Sequence, residues 1–159
     1  MSFTIRKAKK EDMSQVLALI NQLAVFEKEP EAVIITVEDL QKDGFGDHPA
    51  FICFVAEVNK KVEGTAIVFH RFSTWKGKIL HLEDLIVNET MRGMGLGTAL
   101  LDEVVKYGHS LGVKRINWEV LNWNKPAITL YEKKGAHILH DWNVVHLNEQ
   151  GIKNYIANL

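Results

Sequence analysis

The chain has a single cysteine, Cys53, set in the apolar run Phe51-Ile52-Cys53-Phe54-Val55-Ala56. One thiol excludes an internal disulfide and fits a reducing compartment; its surroundings read as a buried strand. Charge of one sign is missing too: 19 Lys+Arg against 20 Asp+Glu leave a formal net charge of −1. Nucleic acid, which needs a basic surface, therefore has little electrostatic support as a partner. No run approaches the ~18 apolar residues of a membrane span. Met1-Ser2-Phe3-Thr4-Ile5-Arg6 lacks the apolar core of a signal peptide. Seven histidines yield no metal site, since His137 and His140 face opposite ways on an expected strand and lack further ligands. No repeat, linker or low-complexity tract interrupts the chain. With 47% hydrophobic and 25% charged residues, it reads as one cytoplasmic globular domain over residues 1–159, able to bury roughly 70% of its unfolded surface.

Hydrophobic periodicity predicts a strand over 3–8 and a helix over 11–27, the latter from Met13, Val16, Leu17, Ile20, Leu23 and Ala24. Thr36 followed by Asp39 is the cap signal of a short second helix that stops near Gly44. Strands over 51–58 and 62–70 form a hairpin, and 78–87 is the next strand. A helix over 97–110 ends at Gly112, followed by a strand over 115–121. Asn124 and Pro126 open a helix over 125–134 that Gly135 closes. Two short strands within 136–148 and a helix over 149–157 complete the reading. The fold class is α/β with a mixed sheet, containing one βαβ unit.

That unit carries the most informative segment, Val87-Asn88-Glu89-Thr90-Met91-Arg92-Gly93-Met94-Gly95-Leu96-Gly97-Thr98. Three alternate glycines open a helix, so the backbone can lie against a ligand and present unpaired N–H groups and the positive dipole end; Arg92 adds a cation. The segment is not a nucleoside-triphosphate loop, because Thr98-Ala99 follows where Lys-Ser/Thr is required. A dinucleotide fingerprint needs G-x-G-x-x-G and an acid ~20 residues on. Glu119 lies near that distance, but the glycine spacing does not match. The spacing Arg92, Gly95, Gly97 suits an acetyl-coenzyme A loop.

With these residues the chain resembles the GCN5-related N-acetyltransferase (GNAT) family over nearly its whole length. Within that family it is most similar to the diamine (spermidine/spermine-type) and thialysine acetyltransferases. Supporting segments are Asp43-Gly44-Phe45-Gly46-Asp47-His48-Pro49, Trp75-Lys76-Gly77-Lys78 leading into Leu82-Glu83-Asp84, Trp123-Asn124, and Leu130-Tyr131 before Gly135-Ala136. The resemblance implies a mostly antiparallel twisted sheet with flanking helices, acetyl-CoA as cosubstrate, no metal, and a homodimer. It implies that pantetheine runs along Leu85, Ile86 and Val87, and that Arg92, Gly93, Met94, Gly95, Leu96, Gly97 and Thr98 hold the diphosphate. Asn124, Ala127 and Tyr131 complete the coenzyme contacts, and Asn124 also suits a helix cap.

Acetyl transfer needs a bound thioester, a neutral amine and a proton for the departing thiolate. An alkylammonium with pKa near 10.4 is free base about once in a few thousand molecules at neutral pH, a cost of ~4 to 5 kcal/mol. Glu83 is the matching proton acceptor, acting through water or as an ammonium anchor; regular alternation puts it on the face of Val87. Asp84 points to the other face unless a bulge intervenes. Tyr131 matches the family's acid, a phenol that stays protonated at rest. Beside Ile128 and Leu130 it also suits core packing.

Glu27, Glu83, Asp84 and Trp123 are the candidate amine contacts. Asn122 and Lys125 stand where the spermidine/spermine-type pattern has acids, so lysine-like or small primary amines compete with diamines. The expected activity is direct attack by a small-molecule amine in a ternary complex. Its rivals are acetylation of protein lysines or N-termini, and a non-catalytic acyl-CoA sensor.

Overall fold

The computed structural model describes residues 2–159, which divide into a first compact unit running to Glu119 and a second, Val120–Leu159. The first unit contains one sheet whose strands lie in chain order: β1 (Thr4–Lys7), β2 (Ile52–Val58), β3 (Lys61–Ser73), β4 (Gly77–Val87) and β5 (Ile116–Asn117). Neighbours from β1 to β4 are antiparallel, whereas β5 runs parallel to β4. The mixed α/β class expected from sequence is therefore observed. At the β2–β3 turn Asn59 and Lys60 both take positive φ, 50° and 65°, the conformation whose twist matches that of a two-residue hairpin.

Helices cover both faces of this sheet. α1 (Met13–Phe26) follows a 3₁₀ turn, Lys10–Asp12, and α2 (Val37–Phe45) starts from a reciprocal cap. There the Asp39 N–H donates to Thr36 Oγ1 at 3.1 Å and the Thr36 N–H donates to the Asp39 carboxylate at 2.9 Å, satisfying two donors that a helix start leaves free. Met13, Val16 and Leu19 of α1 and Leu40 of α2 pack on Cys53, Val55, Val62, Ile67 and Ile86. On the opposite face α3 (Leu96–Ser110) sets Leu100 against Gly64 and Tyr107 edge-on to Phe54 at 5.5 Å. Arg6 ties β1 to the 3₁₀ turn and to β2. Its guanidinium donates to Asp12 at 2.7 and 3.0 Å and to Glu57 at 2.6 Å, and it holds the Asp12 carboxyl below the usual carboxylate range.

Two bulges interrupt the ladders. Ala56 pairs with Gly64 and Glu57 with Val62, leaving Glu63 as the extra residue of β3. Ile67 pairs with Asp84 and Val68 with Leu82, leaving Glu83 as the extra residue of β4. Each bulge shifts the alternation of side chains beyond it.

Two expectations need correction. β5 is two residues long, not 115–121, because its pairing with β4 ends at His81↔Asn117. The second unit holds α4 (Lys125–Lys133) and α5 (Glu149–Ala157), with no strand within 136–148 among the described residues. A strand needs a ladder partner as well as an apolar pattern. Without one, Leu139, Trp142, Val144, Val145 and Leu147 stay exposed. No helix among the described residues is long and apolar enough to cross a membrane.

Gly64 gives the packing of α3 on the sheet a direct test. A Cβ there would stand 3.1 Å from Leu100 Cδ1 and 3.2 Å from the Ile86 carbonyl oxygen. The Gly64→Ala variant should lose about 1 to 3 kcal/mol in urea unfolding. Wild-type stability would show that α3 is not held this closely.

Candidate active site

The end of β4 is anchored by a buried carboxylate that sequence reasoning did not single out. Glu63, the bulged residue of β3, accepts the Asn88 side-chain N–H at 2.6 Å, and its carbonyl accepts the Asn88 backbone N–H at 2.8 Å. Lys61 Nζ stands 3.2 Å from the other carboxylate oxygen. Thus clamped, the chain makes a 3₁₀ turn, Glu89–Met91, and enters the glycine loop. Gly93 and Gly95 take φ of 77° and 88°, with open space where a Cβ would sit, so both are required by conformation. Gly97 brings the first turn of α3 against Val87 Cγ2, 3.5 Å from its would-be Cβ.

α2, α4 and α5 are each capped by a side chain, those of Thr36, Asn124 and Asn148; α3 begins at Gly95 with none. The first-turn N–H groups of Leu96, Gly97 and Thr98 have no acceptor within the helix and share the positive end of its dipole. This is the donor chemistry of an anion cradle, unobstructed by side chains. Met94 is exposed beside it. Arg92 turns back toward the protein: its Nε donates to the Val87 carbonyl at 3.3 Å and its guanidinium lies over Phe26, 5.3 Å from the ring centre. Leu85, Ile86 and Val87 lead into the loop along the stretch of β4 beyond its last pair with β5.

The bulge at Glu83 corrects the expected geometry of the carboxylates. Gly64 pairs with Val87 and Val68 with Leu82, so Val87 shares the α3 face with Leu82, and Glu83 does not alternate onto it. Asp84, opposite Ile67, joins Ile86 on the face that α1 and α2 cover. Burial pushes its carboxyl up to about 6, helped by repulsion from Glu83 and Glu27. Glu27 caps the C-terminal end of α1, and partial desolvation raises its carboxyl as well. Glu83 keeps 57% of its side chain exposed, with one oxygen 3.3 Å from the buried His81 Nε2. The structure thus brings Glu27 and Glu83, two of the four amine candidates, near enough to a third, Asp84, to repel its charged form. That field favours a cation.

The remaining candidates lie in the second unit. Asn124 caps α4 by accepting the Ala127 N–H at 3.4 Å. Trp123 is 41% exposed. Tyr131 is buried on α4, and burial raises its phenol above the ordinary value. Among the described residues no group of three His, Cys, Asp or Glu side chains could hold a metal ion. Cys53 is buried, its Sγ lies 3.1 Å from Thr65 Oγ1, and desolvation pushes its thiol up to about 12. A thiol so held is no nucleophile at neutral pH.

A mixed sheet whose βαβ unit holds an open glycine loop, with carboxylates of β4 and of the end of α1 before it, has the donor and acid chemistry of a group-transfer enzyme acting with an anionic carrier. The sequence profile of the acetyltransferase (GNAT) family matches residues 14–136. Thialysine N-ε-acetyltransferase of Bos taurus is 37% identical over 143 residues, 85% of this chain and 84% of that protein. Human spermidine/spermine N(1)-acetyltransferase-like protein 1 is 33% identical over 93% of this chain, which spans only 23% of that protein. Among solved structures, an integron cassette protein from the V. cholerae mobile metagenome superposes with a TM-score of 0.79 at 20% identity, covering 98% of both chains. A soil-metagenome aminoglycoside acetyltransferase in complex with sisomicin superposes at 0.71 with 16% identity, covering 91% of this chain and 97% of its own. The chain belongs to the GNAT family and is an N-acetyltransferase. Enzymes of this family use acetyl-CoA as cosubstrate.

Asp84 gives the site a pH signature. A carboxyl raised from 3.8 to about 6 contributes stability that is fully present below the lower value and is lost as pH rises through the upper one. The Asp84→Asn variant without ligand should therefore exceed wild type by about 2 to 3 kcal/mol at pH 8 and match it near pH 4 in urea unfolding. A gap that is constant across this range would show that Asp84 is not held in its raised state.

Proposed function

We propose that the chain, acting as one N-acetyltransferase domain over 1–159, moves the acetyl group of acetyl-CoA to the primary amine of a small, lysine-like molecule. The observation that carries this reading is the β4 bulge, which places Glu83 and Asp84 in different surroundings shortly before the glycine cradle, with Glu27 at the end of α1 close enough to act on Asp84. The relatives named for thialysine, at 36 to 37% identity, support the same substrate class.

The loop from Arg92 to Thr98 fits a diphosphate, because it offers backbone donors, the helix dipole and open space at Gly93 and Gly95. Leu85, Ile86 and Val87 would lie along pantetheine. Asn124, Ala127 and Tyr131 are assigned to the coenzyme by their match to the family motif. An ammonium group is drawn by the three carboxylates; Asp84 and Glu27 anchor it, and Trp123 walls the amine. The exposed Glu83 takes the proton through water. The freed nitrogen lone pair then attacks the thioester carbonyl, and the carbon–sulfur bond breaks as the tetrahedral adduct collapses. Tyr131 gives its phenolic proton to the departing thiolate and is restored through solvent by the second proton, which leaves the attacking nitrogen as the neutral amide forms. Transfer is direct, with no acetyl-enzyme.

Exposed apolar side chains along 139–159, among them Trp142, Val145, Tyr155 and Leu159, support a homodimer. We take the compartment to be the cytoplasm, where a lone cysteine stays reduced.

Coenzyme A release measured against lysine, thialysine, diamines, an aminoglycoside and lysine peptides tests the substrate class. Small lysine-like amines should turn over fastest, and background rates with all of them would reject the proposal. Glu83→Gln should lower kcat by ~10²- to 10⁴-fold. Tyr131→Phe should lower kcat while calorimetric affinity for CoA stays within twofold, and full activity would remove Tyr131 from the chemistry.

A further inference from the structure

The base proposed for the reaction is exposed and long, so something must orient it. His81 stands two residues before Glu83 on β4, where strand periodicity places both on one side. Its ring is only 7% exposed and is stacked at a tilt on Phe69, 4.8 Å between centres. One ring nitrogen, Nε2, lies 3.3 Å from Glu83 Oε2. The other, Nδ1, lies 2.8 Å from the side-chain nitrogen of Asn117, the residue paired with His81 across the parallel β4–β5 ladder.

These contacts define a proton position. An amide nitrogen only donates, so with Asn117 turned this way Nδ1 accepts and the ring proton sits on Nε2, facing the carboxylate. Turning the amide over would place its oxygen on Nδ1 and, in a neutral ring, oppose the Nε2 lone pair to the Glu83 carboxylate. The present orientation has a cost: Asn117 Oδ1 is buried with no hydrogen-bond partner among the described residues. An unpartnered buried oxygen is uncommon in folded proteins. The contact of His81 with Glu83 accounts for it in a neutral ring, where only this orientation aims a donor at the carboxylate.

We propose that His81 is a positioning residue for acetyl transfer, holding the Glu83 carboxylate through Nε2–H while Asn117 sets the tautomer. This rests on the reading of Glu83 as proton acceptor. His81 takes no proton in the reaction. It confines Glu83 to the rotamer that faces the incoming ammonium, so that the base need not search for it at each turnover.

Kinetics with the fastest amine of the panel supply the test. His81→Leu should lower kcat about tenfold, with KM for acetyl-CoA within twofold. His81→Gln, whose amide can still donate to Glu83, should recover most of the loss, and Asn117→Leu should lower kcat in the same direction by less. In the Glu83→Gln background, adding His81→Leu should change nothing, since its route to the chemistry is gone. Two-bond ¹⁵N–¹H spectra of the wild-type chain should show His81 protonated at Nε2 alone. Equal losses from His81→Leu in both backgrounds, or a ring protonated at Nδ1 alone, would overturn the proposal. So would an unimpaired His81→Leu beside a crippled Glu83→Gln, leaving the reading of Glu83 intact. A fully active Glu83→Gln would overturn both together. His81→Gln, Asn117→Leu and the spectrum carry the decision if His81→Leu fails to fold.

Discussion

One surplus residue in β4 organises the chemistry of the first unit. Were the β3–β4 ladder regular, Glu83 would alternate with Val87 and Asp84 would face the opposite side of the sheet. The register instead runs Val68↔Leu82 and then Ile67↔Asp84, and the skipped residue is the carboxylate nearest to solvent. The two acids of a single dipeptide thereby acquire different surroundings. Glu83 meets water and His81, while Asp84 is drawn toward the covered face and held at about 6. Placing two neighbouring carboxyls in unlike environments is how a protein gives them unlike roles. The repulsion that Glu83 and Glu27 exert on a charged Asp84 is unfavourable in the free protein, and on the proposed reading an ammonium group would relieve it.

The second bulge sets the start of the glycine loop. Glu63 is excluded from pairing just as Glu83 is, yet it turns inward and bonds Asn88 twice, once by its carboxylate and once by its carbonyl. This fixes where β4 stops and hence where the glycine loop starts. A hydrogen bond to an ionised group contributes roughly 1.5 to 3 kcal/mol when well made, ample to hold a turn that has few contacts of its own. From there Gly93 and Gly95 supply left-handed backbone, and α3 begins without a side chain over its first donors. Binding capability is thus a consequence of what the loop omits.

Much of this could be read from residue order. The capping pair Thr36/Asp39, the glycine stops at Gly112 and Gly135, the Asn124 cap and the βαβ unit each follow from local chemistry, and each is observed. What depends on pairing could not be read. A bulge has no signature in an apolar run such as Leu80 to Val87, so the alternation rule, applied to a regular strand, misplaced Glu83 relative to Val87. The short β5 and the missing strands of 136–148 fail for the same reason, since an apolar pattern does not say whether a partner edge exists. His81 was visible as a residue two places from Glu83, but its link to Asn117 exists only through the parallel register. Glu63 gave no signal at all until the ladder was known.

Arg92 shows how magnitudes decide between an observed contact and a functional one. Its position in the loop suits a phosphate, yet it donates to the Val87 carbonyl and covers Phe26, the residue before Glu27. A cation over a ring that is only half-buried, as Phe26 is, is worth roughly 0.5 to 1 kcal/mol. A single 3.3 Å bond to a carbonyl adds about as much at a surface. A diphosphate offers two or more charge-assisted bonds, each about twice as strong as a neutral one, to a guanidinium whose fork matches phosphate oxygens. If the loop takes a diphosphate as proposed, the resting contacts are too weak to compete with it, yet they hold the side chain against the protein in the meantime. Arg92 thus links the start of the glycine loop to the end of α1, beside Glu27.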